Sequence, residues 1–264
     1  MKISIITSCY NREKTIGEAM RSVMAQDYDD VEYIVVDGDS TDRSLAVIRD
    51  MEGVAGSDDF RAEHPGFSMK VVSEPDSGMY EAINKGIRMA TGDVIGLVHS
   101  DDVLYDEGVL TDMARCFEET GADFVYADGK FVDAERTDRV VRNWIGGEYR
   151  RWKVRLGWLP LHPTCYIRRE VMMREGLYDE SYKIAADSDL LVRYLYKARL
   201  RVEYMRRYVI RMRMGGLSTD KDKRMAMWRE DVRLYKAHGF SPVVTKIMKM
   251  MWKLERVTDV KLLK

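Results

Sequence analysis

Cysteine is scarce in this chain: Cys9, Cys116 and Cys165 are its three, far apart, odd in number and without metal-ligand spacing. That pattern argues against a disulfide framework and a cysteine-held metal. The thiols are expected to be reduced and mostly buried, as in a cytoplasmic protein. No apolar run approaches the roughly 18–20 residues that span a bilayer. The apolar residues near the amino terminus give way at once to Thr7, Ser8 and Asn11, too short a stretch for a signal-peptide core. Internal repeats and low-complexity segments are absent. No recognition-helix, zinc-finger or ribonucleoprotein motif is found, so nucleic acid is not expected as a partner.

Net charge is nearly absent too, at −1, but it is unevenly placed. Residues 1–138 hold 13 Lys/Arg and 30 Asp/Glu, whereas residues 139–264 hold 30 and 14. An acidic half suits divalent cations, and a basic half suits phosphates or lipid headgroups. At 264 residues, with 45% hydrophobic and 33% charged residues, the chain has the composition of an ordinary soluble protein with a substantial core.

Strand-like runs at 3–7, 31–37, 69–73, 94–98 and 124–127 alternate with helical spacing, for example Ile16, Ala19, Met20, Val23 and Met24. Further helices are expected at 79–90 and 107–119, and Ser40, Thr41 and Asp42 can cap one carrying Leu45, Val47 and Ile48. The βαβαβ order predicts a doubly wound, mostly parallel α/β sheet with helices on both faces. Residues 53–65 are turn-rich and read as a surface insertion. Residues 129–165, with Trp144, Trp152 and Trp158, read as an irregular, ligand-facing region. A helix at 187–198, a strand at 201–205 and a helical remainder complete the pattern.

Four polar clusters follow predicted strands: Thr7 to Asn11, Asp37-Gly-Asp39-Ser-Thr-Asp42, Glu74-Pro-Asp76 through Asn84-Lys85-Gly86, and Ser100-Asp101-Asp102. An open α/β sheet binds its ligands at these carboxyl ends. Adjacent Asp101 and Asp102 are hard oxygen donors that suit Mg2+ or Mn2+ better than zinc, although Asp-Asp pairs also begin helices and turns. The Gly-x-Gly-x-x-Gly fingerprint of NAD sites is missing after the first strand.

In order, these motifs, with Thr91-Gly-Asp93, Ala185-Ala-Asp187-Ser-Asp189 and Gly215-Gly-Leu-Ser218, resemble the family-2 inverting glycosyltransferases of GT-A fold, the kind that builds bacterial polysaccharides. The resemblance covers about residues 3–218. It implies a catalytic domain over 1–218 and a basic helical extension over 219–264. It also implies a hexosyltransferase that uses a nucleotide-sugar donor, UDP-linked by expectation, and a glycan or lipid-diphosphate-linked acceptor. Asp39 would accept a hydrogen bond from the base, with Thr7, Tyr10, Asn11 and Asp37 around the same nucleotide. Asp76, Asn84 and Lys85 would lie near ribose and sugar, Ser100 would line the donor site, and Asp101 would contact ribose or metal-bound water. Asp102, with Asp101, would ligate the cation that offsets charge on the leaving diphosphate.

Asp187 matches the family's catalytic base, and Asp189 is its rival; helical geometry turns two such residues to different sides, and Arg193 is Asp189's i+4 partner. His162, within Leu-His-Pro-Thr, has two uses open to it: a further metal or acceptor contact, or an ordinary loop histidine. The tryptophans have stacking on a sugar or core packing. The tail at 241–264 carries six Lys/Arg against two Asp/Glu among apolar residues, which suits either an anionic membrane surface or packing on the catalytic domain. The expected location is the cytoplasm, free or peripheral on the inner face of the plasma membrane according to which of these uses the tail has. Two other readings remain: a sugar-nucleotide nucleotidyltransferase, whose Gly-rich basic loop after the first strand is not found here, and a non-catalytic nucleotide- or glycan-binding module.

Overall fold

The computed structural model describes residues 1–215 and 224–259, with the side chains of 224, 253 and 255–259 left out of account. The sequence motif at 216–218 and the last five residues lie outside the described residues.

Strands β1 (Ile3–Cys9) and β2 (Val31–Asp37) are buried along their whole length, which is why both read as nearly continuous apolar runs. They pair in parallel with each other, β2 with β3 (Ser68–Ser73), and β1 with β4 (Val94–Leu97). Alternate side chains enter opposite cores. Ile3, Ile5, Tyr33 and Val35 face the helices α1 (Ile16–Met24) and α5 (Val109–Thr120). Ile6, Ile34 and Val36 face α4 (Met79–Met89) and α8 (Ala186–Val192). The sheet is thus clad on both sides, as the period-two and period-3.6 patterns predict.

Beyond β4 the sheet turns mixed. β8 (Tyr166–Arg168), which leads into α7 (Arg169–Glu175), runs antiparallel to β4 and to β6 (Phe124–Val132). β6 pairs in parallel with β9 (Val202–Arg213) and antiparallel with β7 (Val140–Trp144), and β5 (Val103–Leu104) pairs with β9. Several expectations are corrected here. The supposed insertion at 53–65 is largely helical: α2 (Ser44–Ala55) runs on into it, and α3 (Asp58–Glu63) is capped by Ser57, whose hydroxyl accepts from Phe60 N. The irregular segment at 129–165 contains β7 and a short helix α6 (Arg151–Arg155), since β6 runs on past 127 and needs a partner. The helix at 187–198 ends as α8 at Val192 and continues as one π-helical turn over Arg193–Lys197.

After residue 223 come α9 (Arg224–Ala237), α10 (Pro242–Arg256) and a short strand β10 (Val257–Asp259), which pairs with β7. α9 is no loose appendage: Leu234 and Tyr235, with Phe240 just after it, are buried in the same core as α4 and α8. Cys9 and Cys165 are buried, Cys116 is half-buried, and all three are free thiols. Among the described residues no helix is long and apolar enough to cross a membrane.

Candidate active site

The loops after β1, β2, β3 and β4 meet at the carboxyl ends of these strands. Gly38 N donates to Cys9 O at 2.9 Å and Glu74 N to Asp37 O at 3.0 Å, so each loop is tied to its neighbour. Asp37, fully buried, accepts from Ser40 N at 3.1 Å and Ser73 Oγ at 2.7 Å. Asn11 lies between loops, its Oδ1 accepting from Thr41 N at 2.9 Å while its own N–H donates to Ser40 Oγ at 3.0 Å. Both residues shape the crevice from within. Asn11 and the exposed Asp39 adopt left-handed backbone, φ 52° and 62°, which Asn and Asp tolerate better than most residues and which functional loops often retain.

Asp76 is drawn against Asp39's loop because Gly38 has no Cβ; one placed there would stand 2.4 Å from Asp76 Oδ2. Burial raises the Asp76 carboxyl above its ordinary range, against the hydrogen bond from Gly78 N. Lys85 reaches Glu74 at 2.9 Å and Glu81 at 3.1 Å, fastening this loop to α4. Tyr10 stands out at 57% exposed. Thr7 does not reach the surface: its hydroxyl donates to Val98 O at 2.6 Å, joining β1 to the end of β4. Asn84 is likewise buried, with its amide shared among Tyr178 O at 2.9 Å, Tyr178 N at 3.0 Å and Glu180 at 2.7 Å. Thr7 and Asn84 therefore act on the crevice by holding its walls.

Ser100 and Asp102 are buried and Asp101 is half-buried at the end of β4. Asp102 N donates to His99 O at 2.9 Å, a tight turn that sets the two carboxylates side by side. Burial, reinforced by Asp101, raises the Asp102 carboxyl well above its ordinary range. Arg213 N, from β9, donates to it at 3.3 Å. The Arg213 charge also draws the carboxyl down without overcoming its burial, and a bound cation would relieve the remainder. Among the described residues no three His, Cys, Asp or Glu side chains group closely enough to hold a metal alone. The pair fits a Mg2+ or Mn2+ that draws its other ligands from substrate phosphates and water, as Mg2+ does in many phosphate-binding sites. His162 lies near by, its ring 6.1 Å from that of His99. Its Nε2 is hydrogen-bonded to Tyr178 Oη at 2.7 Å. Burial, with His99 beside it, lowers His162 to about 3, so it is neutral near pH 7.

The segment leading into α8 adjoins the loop after β3, with Lys183 Nζ donating to Ser77 O at 3.4 Å. Asp187 is half-buried, accepts from Ser188 N at 2.6 Å, and is raised above the usual carboxylate range by burial. Asp189 is engaged elsewhere, as its spacing from Arg193 predicts: Oδ2 meets Arg193 Nε at 2.8 Å and Oδ1 meets His238 Nε2 at 2.8 Å. Burial would raise it, but His238 and Arg193 more than offset this and hold it low. Tyr80 stacks on Tyr178 at 5.6 Å and donates to Ile184 O at 2.8 Å, forming the floor beside Asp187. Trp158 is core, Trp144 is half-buried, and Trp152 is 56% exposed on α6.

Sequence reasoning missed the residues that position α8. Glu230, on α9, accepts from Lys183 N at 2.9 Å, Ile184 N at 2.8 Å and Ala185 N at 2.9 Å. Lys249 of α10 pairs with the buried Asp231 and draws the Asp187 carboxyl down against its burial. No local pattern announces these; an acidic pair, Glu230-Asp231, in an otherwise basic helix was the available signal.

The pattern of the family described as glycosyl transferase family 2 matches residues 4–180. A glycosyltransferase of PGL/p-HBAD biosynthesis from Mycobacterium bovis is 28% identical over 231 residues, covering 85% of this chain and 84% of its own. An uncharacterized glycosyltransferase of Mycobacterium tuberculosis is 28% identical over 195 residues, 72% of this chain and 68% of that one. Among solved structures, S. aureus TarS 1–349 in complex with UDP aligns with a TM-score of 0.64 at 19% identity, over 94% of this chain and 70% of that one. Mannosyltransferase PcManGT of Pyrobaculum calidifontis, in complex with GDP-Man and Mn2+, aligns with a TM-score of 0.61 at 16% identity, over 94% and 68%. A longer TarS chain is covered over 40% of its length. At these identities the structural likeness speaks for the GT-A-type fold. With the ordered strand-end motifs and the family match over most of its length, the chain belongs to glycosyl transferase family 2.

Proposed function

We propose that this protein is a metal-dependent, inverting glycosyltransferase. It moves a sugar from a UDP-sugar to a glycan or lipid-diphosphate-linked acceptor in cell-surface polysaccharide synthesis, in the cytoplasm at the inner face of the plasma membrane. One observation supports the reading: Asp187 has a carboxyl raised by burial and, among the described residues, takes a hydrogen bond only from its neighbour Ser188, while Asp189, two residues on, is consumed by Arg193 and His238. A base for an acceptor hydroxyl needs an available carboxylate opposite the leaving group, and a pKa moved towards the working pH improves it.

Asp39 accepts the base's N–H, with Tyr10 against the ring and Asn11 and Asp37 holding the loop. Asp76 and Lys85 face the ribose and donor sugar, and Asp101 and Asp102 the diphosphate. A divalent cation bound there supplies charge neutralisation for the departing nucleoside diphosphate. His162 serves the acceptor side, through its contact with Tyr178. The UDP and UDP-GlcNAc bound by TarS support a uracil-bearing donor. The test is incubation with a panel of UDP-sugars, Mn2+ and lipid-diphosphate-linked acceptors, reading the anomeric configuration of the product by NMR. An inverted linkage fits this account, and a retained one would overturn the assigned role of Asp187.

A further inference from the structure

Helix α10 packs on the catalytic unit through one face. Thr245 is buried there with its hydroxyl donating to Arg155 O at 3.3 Å, Trp252 Nε1 donates to Leu156 O at 3.1 Å, and Lys249 reaches Asp231. The outward face is apolar. Val243, Val244, Ile247, Met250, Met251 and Leu254 are exposed, from 48% at Val244 to 81% at Leu254. At 3.6 residues per turn these six positions fall within an arc of about 120°. A continuous apolar stripe on a soluble domain marks a contact surface rather than chance exposure.

Its surroundings say what it contacts. Trp152, 56% exposed on α6, lies 6.1 Å from Trp252 at the margin where α10 packs on the catalytic unit, with the exposed Arg151 and Arg155 on the same short helix. Trp228, 53% exposed, stands near by under Lys246, whose ammonium is 3.5 Å from its ring. That ammonium is itself paired with Asp231 at 3.2 Å, so the cations open to a partner are the arginines of α6. Apolar side chains, peripheral tryptophans and surrounding cations are the makeup of a helix that lies in the headgroup layer of an anionic bilayer. The other side of α10 carries Lys249, whose charge is felt at Asp187.

We propose that the outward face of α10, with Trp152 of α6, docks the protein on an anionic membrane, so that the Asp187 wall of the crevice lies towards the lipid surface. The choice of a bilayer rests in part on the lipid-linked acceptor proposed above. A lipid-borne acceptor would then arrive from the side on which its hydroxyl must meet the base, and the nucleotide sugar from the side of the β1 to β4 loops.

Cosedimentation of the whole chain with vesicles of phosphatidylglycerol and phosphatidylcholine, compared with phosphatidylcholine alone, tests this. The protein should bind the anionic vesicles, and salt should weaken it. The triple variant Ile247→Glu, Met250→Glu, Leu254→Glu should bind about tenfold less or worse, with its thermal midpoint unchanged. Quenching of tryptophan fluorescence by brominated lipid should fall in Trp152→Phe. Failure of the wild type to bind, equal binding by the triple variant, or a stable dimer in sedimentation velocity that the triple variant dissolves would each overturn the membrane assignment. A UDP-induced thermal shift measured on the same samples reports separately on the nucleotide site, so loss of one leaves the other readable.

Discussion

Asp189 and His238 meet at 2.8 Å although 49 residues separate them in the chain. That contact takes the second acidic residue of α8 out of the crevice and ties α9 to the wall that carries Asp187. Substituting the two aspartates should therefore have unlike effects. Asp187→Asn should lower turnover about 10²–10⁴-fold with UDP affinity intact. Asp189→Asn should cost about 1–3 kcal/mol of stability, as loss of charge-assisted hydrogen bonds does, with a smaller effect on turnover. Calorimetric titration, steady-state kinetics and thermal melts separate the two. Equal losses of turnover at equal stability would contradict the assignment.

The acid limb of the pH profile should report Asp187. Burial raises its carboxyl, so the deprotonated form needed to accept a proton is lost at a pH above the ordinary aspartate range. A profile of kcat/KM against pH should fall on the acid side at a pH higher than an ordinary aspartate would give, and this limb should disappear in the residual activity of Asp187→Asn.

Glu230 touches the chemistry only through the loop it holds. Glu230→Ala removes the acceptor for three backbone N–H groups just before α8. Displacing a base without removing it should lower kcat by about 10²-fold, with KM for the donor little changed. Glu230→Gln, which keeps the oxygen acceptor on one arm, should recover part of that loss. A purely structural role would lower the melting midpoint and leave kcat of the folded fraction alone.

Glu32 offers a test remote from the crevice. It lies buried in β2, and burial would raise its carboxyl, but Lys70 at 2.7 Å, Thr91 N at 2.6 Å and Ser4 at 2.7 Å hold it at about 2. The folded value lies below the unfolded one, so its stabilisation is complete above roughly pH 5. It fades as the pH falls from there towards about 2. Lys70 is 45% exposed, so solvent screens the pair. Glu32→Gln should accordingly cost about 1–2 kcal/mol at pH 7, a difference that shrinks in acid denaturation series.

Much of this architecture was legible before folding. The strand at 31–37 has the limits its sequence predicts, and the strand-end clusters at Asp37, Asp76 and Asp102 fall where a parallel sheet delivers them. Local periodicity carries that information, most plainly for β1, β2 and β4, which are buried on both faces, and less for the half-buried edge strand β3. Long-range partnership is not carried by it. That Asn84 closes on Tyr178, that Thr7 turns inward to Val98, and that Arg213 N meets Asp102 across 111 residues depend on which segments come together. The length of β9 was hidden for a similar reason. Its residues are mostly half-buried and rich in Arg, and pairing with β6 sustains the strand where its own side chains signal only weakly.

The most direct test of the account is the thermal midpoint of the protein with UDP, GDP or CMP, each in Mn2+ or in EDTA, for wild type and Asp102→Asn. A ligand that binds only the native state raises the midpoint in step with its occupancy. The account predicts a rise with UDP in Mn2+ that vanishes in EDTA and in Asp102→Asn. A rise with UDP that survives both EDTA and the substitution, or no rise with any nucleotide, would contradict it.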